Sequence, residues 1–193
     1  MEFNKTVSNP MLVGCIELLK AEDTPGHRSM FITELQKANL LTPALIEPAP
    51  VEDEEGNLKL LPESRVQFLM LTSSDGEKYF MGFTDEAEYQ LWVEKNTSLP
   101  TFAVKFDDYV LMLMNKDSRG IPSSAQGFVI NPFGANLAVQ KDMIANIMAG
   151  RMIQALKQDD KRSVRKLRVP NSSSAAPGER GTPDGNDGYL QEK

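Results

Sequence analysis

Apolar residues first recur at helical spacing. Leu12, Cys15, Ile16 and Leu19 fall at i, i+3, i+4 and i+7, one face of a helix ending near Lys20. Ser8-Asn9-Pro10 precedes them as a start signal, a side-chain cap followed by proline at the first helical position. Asp23-Thr24-Pro25-Gly26 breaks the chain, and a second helix is predicted over 28–39 with Phe31, Leu35 and Ala38 inward. The pattern then changes. Leu40 to Ile46 reads as a strand, which Pro43 pushes toward an edge or a bulge because it has no amide hydrogen.

Between 47 and 63 lie three prolines and the run Glu52-Asp53-Glu54-Glu55, whose like charges predict a solvated loop or a long hairpin connection. Val66 to Thr72 is a strand, Ser74-Asp75-Gly76-Glu77 a hairpin turn, and Lys78 to Phe83 the return strand. Tyr79, Met81 and Phe83 then share one face, with Phe80 and Gly82 on the other. Thr84 is placed to cap a helix whose first turn carries Asp85 and Glu86, favourable beside the positive end of the helix dipole. Tyr89, Trp92 and Val93 form its inward stripe. A short strand over 102–106 leads into a helix from Asp107 to Met114.

After a loop over 115–126 comes the strand Phe128-Val129-Ile130. It enters a turn shaped by Asn131, Pro132 and Gly134, with Gly134 expected to take positive φ. Leu137-Ala138-Val139 follows, then a last helix from about Lys141 to Lys157. Ile144, Ile147, Met148, Met152, Ala155 and Leu156 keep its spacing. The order of elements predicts an α+β fold, one domain over 1–158 with a mixed sheet and helices packed on it. Residues 159–193 are rich in Ser, Pro, Gly, Asp and Asn and are expected to be a flexible polar tail, with a basic segment at 161–168.

Charge narrows the partners. Residues 1–156 hold 13 Lys and Arg against 21 Asp and Glu, a net of −8. Such a body repels phosphate backbones, so nucleic acid is excluded as a partner of the folded part. No run approaches the roughly 18 apolar residues of a membrane span. The single cysteine, Cys15, leaves no internal disulfide framework, and cytoplasm is the expected compartment. The basic segment 161–168 reads first as a solvated tail. Contact with anionic surfaces is the lesser reading.

Candidate chemistry is sparse. His27 is the only histidine, and no nucleophile is set beside it by spacing. Cys15 falls on an apolar helix face and reads as a small buried hydrophobe. One Cys and one His cannot assemble the usual zinc ligand set, and no cofactor motif is present. Asp85 and Glu88 share a helix face, which at a helix start more often reflects dipole compensation. The Asn131–Asn136 turn remains the best candidate surface. Asn131, Phe133 and Asn136 are the candidate partner-binding residues, although asparagine at such a turn also closes on its own backbone.

Phe83-Thr84-Asp85-Glu86, Trp92 and the string Val129-Ile130-Asn131-Pro132-Phe133-Gly134-Ala135-Asn136-Leu137 together resemble the SseB N-terminal domain family, named for an enhanced-serine-sensitivity protein. The resemblance covers most of residues 9–150. It implies a bacterial, cytoplasmic α+β domain and no assigned catalytic residues. The expected function is a non-catalytic binding or regulatory module for a protein or small molecule. The alternative is a hydrolase or transferase whose carboxylates, such as Asp85, Asp107 and Asp108, are brought together by folding.

Overall fold

The computed structural model describes residues 1–114 and 120–167, with side chains through 158 in the last helix. Two compact units divide the chain, Met1–Met152 and Ile153–Lys193. The described part of the second is the helical stretch up to Leu167.

In the first unit, a two-residue strand β1 (Glu2–Phe3) precedes helices α1 (Pro10–Ala21) and α2 (Pro25–Leu35). Asn9 and Pro10 start α1 as expected, but the Asn9 side chain caps nothing. The predicted break at 23–26 is the start of α2, where the Thr24 hydroxyl accepts from His27 N at 3.1 Å and Pro25 occupies the first turn. Proline there is a start signal as much as a stop.

Strand β2 (Asn39–Glu47) is followed by the two-residue strands β3 (Val51–Glu52) and β4 (Leu58–Lys59), which pair with each other. The acidic run is therefore the tip of a small hairpin, closed by Asp53 accepting from the backbone N–H of Glu55 and Asn57. β5 (Arg65–Phe68) and β6 (Met70–Thr72) replace the single strand predicted over 66–72. They belong to different sheets, with Leu69 N donating to Pro43 O between them. One apolar run is thus shared by two sheets, a division that local alternation cannot show.

The rest alternates: β7 (Lys78–Gly82), α3 (Glu86–Val93), β8 (Thr101–Lys105), α4 (Phe106–Met114), β9 (Ala125–Ile130), β10 (Leu137–Gln140) and α5 (Lys141–Leu167). One sheet has the order β1-β8-β2-β5, every pair antiparallel. The other has the order β10-β9-β7-β6, with β7 and β9 parallel. A two-way exchange of backbone hydrogen bonds between Leu41 and Phe83, 2.9 Å each, joins them.

Pro43 lies within an interior strand, not at an edge. Its position explains the exception. β2 pairs with β8 through Pro43 and with β5 from Ala44 onward, so the missing amide falls where the strand changes partner.

The larger core cluster gathers Leu12, Cys15 and Ile16 of α1, Phe31 and Leu35 of α2, and Phe106, Tyr109 and Leu113 of α4 around Phe80, Val104, Phe128 and Ile130. A second holds Leu41, Met81, Phe83, Tyr89 and Trp92. β7 feeds both, Phe80 into the first and Met81 into the second, so each face of that strand is covered. Burial raises the Cys15 thiol pKa, in keeping with a packing role. The fully buried Tyr109 hydroxyl donates to Met81 O at 3.0 Å and lies 2.5 Å from Thr42 Oγ1. Desolvation lifts its pKa above the ordinary tyrosine value.

α5 continues to Leu167, through the start of the segment expected to be a flexible tail at 159. The remainder of that expected tail lies outside the described residues. Of the apolar residues that keep helical spacing here, Ile144 and Ile147 are buried, whereas Met148, Met152 and Leu156 are exposed.

Candidate functional site

The Asn131–Asn136 turn sits at the end of β9, where the strand leaves the sheet. Its backbone is closed by Asn131: the carbonyl accepts from Gly134 N at 3.0 Å and Asn136 N at 2.7 Å, and the amide donates to Gly82 O at 2.8 Å. The left-handed conformations belong to Asn131 and Asn136, at φ 49° and 50°, not to Gly134 as expected. Asparagine tolerates that region better than other non-glycine residues.

Gly134 matters here for the room it leaves. A Cβ there would lie 2.3 Å from Glu88 Oε2 and 2.8 Å from Oε1, because the Glu88 carboxylate of α3 is packed against the turn. Sequence spacing pairs Glu88 with Asp85 alone. The turn behind it, 46 residues further along the chain, is a tertiary neighbour.

The Asn131 side chain faces inward. It is 2% exposed; Oδ1 accepts from Thr84 N at 2.8 Å and Nδ2 donates to Thr84 Oγ1 at 2.9 Å. Thr84, placed by its neighbours as the cap of α3, is instead fully buried, and its hydroxyl donates to Asp85 Oδ2 at 2.9 Å. Asp85 is the cap, accepting from Glu88 N at 3.0 Å. The Thr84 carbonyl accepts from Asn9 Nδ2 at 2.6 Å, and the same amide donates to Asn39 O at 2.7 Å. One polar network therefore ties the ends of β7 and β9 to the starts of α1, β2 and α3. Buried polar groups need such partners, and here each is supplied by an element terminus.

Of the three candidate partner-binding residues, Asn131 is thus engaged inside the protein, while Phe133 and Asn136 are exposed. Phe133 is 43% exposed, and Lys95 Nζ of the segment after α3 lies 5.5 Å from its ring centroid. This is cation–π distance. What the arrangement offers is a held aromatic ring beside a cation.

Glu88 carries a buried oxygen, Oε2, left without a hydrogen bond among the described residues. Burial raises its pKa, Asp85 adds to the rise, and Lys20 opposes it. A carboxyl raised in the folded state binds its proton more readily there than in the unfolded chain. Stability therefore increases as pH falls through the raised folded-state pKa toward the ordinary glutamate range, and the cost is felt above it. Glu88→Gln is expected to raise the melting temperature at pH 7 by a degree or two and to flatten its dependence between pH 4.5 and 7. Thermal melts of both proteins across that range are the check, and a less stable variant at pH 7 would refute the assignment.

The carboxylates of the enzymatic alternative are each committed to local structure. Asp85 caps α3, Asp107 pairs with Arg151, and Asp108 accepts from Lys105 N at 3.3 Å. Among the described residues, no three His, Cys, Asp or Glu side chains gather closely enough to hold a metal ion. One surface depression of about 160 Å³ is lined chiefly by Glu2 and residues 5–9, another of about 380 Å³ by Asn4, Leu58, Glu86, Tyr89 and residues 98–101, and neither is lined by Asp85, Asp107 or Asp108. No helix among the described residues is long and apolar enough to cross a membrane.

The profile of the SseB protein N-terminal domain matches residues 12–146, well over half of the chain. Comparison with curated proteins and with solved structures returned no significant match. The matched span begins on α1 and ends within the first turns of α5, so it takes in every part of the Asn131–Thr84 network except Asn9.

Proposed function

The chain belongs to the SseB N-terminal domain family, and we propose that it is a non-catalytic binding or regulatory module. Its partner is a protein or small molecule, met at the outer side of the Asn131–Asn136 turn by Phe133 and Asn136. The supporting observation is the exposed Phe133 ring on a turn whose hydrogen bonds are all internal. A ring held in place loses little conformational freedom on binding, and aromatic anchors supply much of the energy at interfaces. Asn131 acts in this reading as the lock that holds the turn, not as a contact. The bacterial, cytoplasmic setting that the family implies is part of the same proposal. The hydrolase or transferase reading has less support, since Asp85, Asp107 and Asp108 are already engaged in capping and pairing.

Phe133→Ala provides the test. Phe133 is 43% exposed and lies outside both core clusters, so the melting temperature should stay within about 2 °C of the parent. Recovery of a stoichiometric partner by the wild-type chain in pull-downs should fall at least tenfold. Unchanged recovery, or a melting temperature lowered as far as by a core substitution, would overturn the reading.

A further inference from the structure

Residues 65–72 form an outer edge of both sheets. β5 ends the order β1-β8-β2-β5, β6 ends the order β10-β9-β7-β6, and only Leu69 separates them. The phase of the hydrogen bonds is continuous across that residue. Leu69 N donates to Pro43 O, one step beyond the Ala44–Phe68 pair, so Gln67 and Arg65 also face β2 by the two-residue period. At the hairpin Ser73 N donates to Glu77 O, so Leu71 faces β7. The backbone N–H and C=O groups of Val66, Phe68, Met70 and Thr72 therefore all point to the open side. Among the described residues no hydrogen bond reaches them there.

Such an edge is ordinarily blunted by charge or proline. This one has neither. From Val66 to Ser74 the sequence holds no charged residue and no proline, and Val66 and Met70 are each 37% exposed. Unpaired groups recurring at every second residue are matched by another extended backbone.

We propose that the same edge of a second copy fills this one, antiparallel about a two-fold axis at Leu69. Val66 then lies opposite Thr72 and Phe68 opposite Met70 of the second copy, so all four outward residues of each chain are paired. β5 of each copy lies beside β6 of the other, and each sheet continues into the other sheet of the second copy as eight strands. The match arises because a single run edges both sheets. The chain's other segments are poor competitors by composition. Residues 115–119 carry three charges in five positions, and 168–193 hold three prolines and four glycines, types depleted in strands. Charge opposes the pairing here. Each copy carries −6, and exposed Glu63 faces Asp75 of the second copy just beyond the paired stretch. Salt screens that repulsion, so the dimer tightens as salt rises.

Light scattering coupled to size exclusion, with the full chain at about 50 μM in about 0.3 M salt, should give the mass of two copies, and low salt or dilution should shift it toward one. In the dimer the Val66, Phe68, Met70 and Thr72 amides should exchange at least about tenfold more slowly than in the diluted chain. Thr72→Pro removes an outward N–H and no internal bond, and Met70→Lys sets a charge on the edge. Each should raise the dimer dissociation constant at least about tenfold, with unchanged circular dichroism. Glu63→Lys should tighten the dimer at low salt more than Glu17→Lys on α1, which changes net charge equally, because only the former gains Asp75 as a partner. Equal effects would overturn the axis at Leu69. One-copy mass at every concentration and salt, a dimer indifferent to both edge substitutions, or a dimer that salt dissolves would overturn the pairing itself. So would a one-copy chain whose four amides are protected by a synthetic Lys-Thr-Val-Thr-Val-Thr-Lys strand, a result that gives the edge to another protein. Phe133→Ala should leave the dimer unchanged, so this test and that of the binding turn fail separately.

Discussion

Asn131→Ala is expected to lower the melting temperature by on the order of 10 °C. The side chain is buried and makes two hydrogen bonds to Thr84, one to its amide and one to its hydroxyl. Truncation leaves the Thr84 N–H buried without a partner, a cost of about 1–3 kcal/mol. The alanine must also hold a φ of 49°, which disfavours it by about 1–2 kcal/mol more than asparagine tolerates. The sum, about 2–5 kcal/mol, converts to a shift of that order at roughly 2–4 °C per kcal/mol for a chain of this size. Asn131→Asp separates the two causes. Aspartate keeps the acceptor for Thr84 N and the tolerance for positive φ, but it cannot donate to Thr84 Oγ1 and places a charge near Asp85. Thermal melts, together with amide exchange at Thr84, give the comparison. An Asn131→Ala protein that melts with the parent would show that Thr84 finds another acceptor and that the network is not a lock.

Gly127→Ala should cost at least as much, for a purely steric reason. A Cβ at Gly127 would lie 2.1 Å from the Val139 carbonyl oxygen and 3.0 Å from Gln140 Cα. Both obstacles are backbone, so no rotamer change relieves the overlap. β9 pairs with β10 on one side and with β7 on the other, and its register against β7 shifts between Lys78 and Tyr79, next to Gly127. Relief requires β10 to move away as it enters α5. Since Val139 and Ile144 are fully buried, that movement opens the core. Overpacking of this kind costs about 1–3 kcal/mol where side chains can adjust, and more where they cannot. The variant is expected to be poorly soluble or to melt more than 10 °C lower, with about 3 kcal/mol or more lost. A normal melt would mean that β10 accommodates the methyl group and that the close approach is not required. Gly134→Ala offers a contrast. Its obstacle is the end of a flexible side chain, so the Glu88 carboxylate can swing away and the loss should be much smaller.

These predictions sort the two family strings by physical role. Thr84-Asp85 and Asn131-Pro132-Phe133-Gly134 are the two halves of one junction. Threonine and asparagine bond to each other, aspartate caps α3, and glycine leaves room for Glu88. Phe133 alone among them has an exposed side chain that no internal hydrogen bond requires. The search for a partner therefore belongs on its ring and on Lys95 beside it.

What the sequence by itself determined is local. Helical spacing placed Leu12, Cys15 and Ile16 inward, and Asp75-Gly76 set the β6–β7 hairpin, with Gly76 at φ 81°. Alternation along 78–83 identified a strand and divided Tyr79, Met81 and Phe83 from Phe80 and Gly82. These features depend on residues within a few positions of each other, where periodicity and turn chemistry carry the signal. The tertiary structure decided the rest. It turned the Asn9 side chain from cap to bridge, moved the α3 cap from Thr84 to Asp85, and let Pro43 into an interior strand. It also split 65–72 between two sheets and set Glu88 against Gly134. Each of these depends on which distant backbone group comes within hydrogen-bond reach. An asparagine or threonine accepts a partner from a neighbouring turn or from a remote strand equally well, so only the packing of the whole chain selects one.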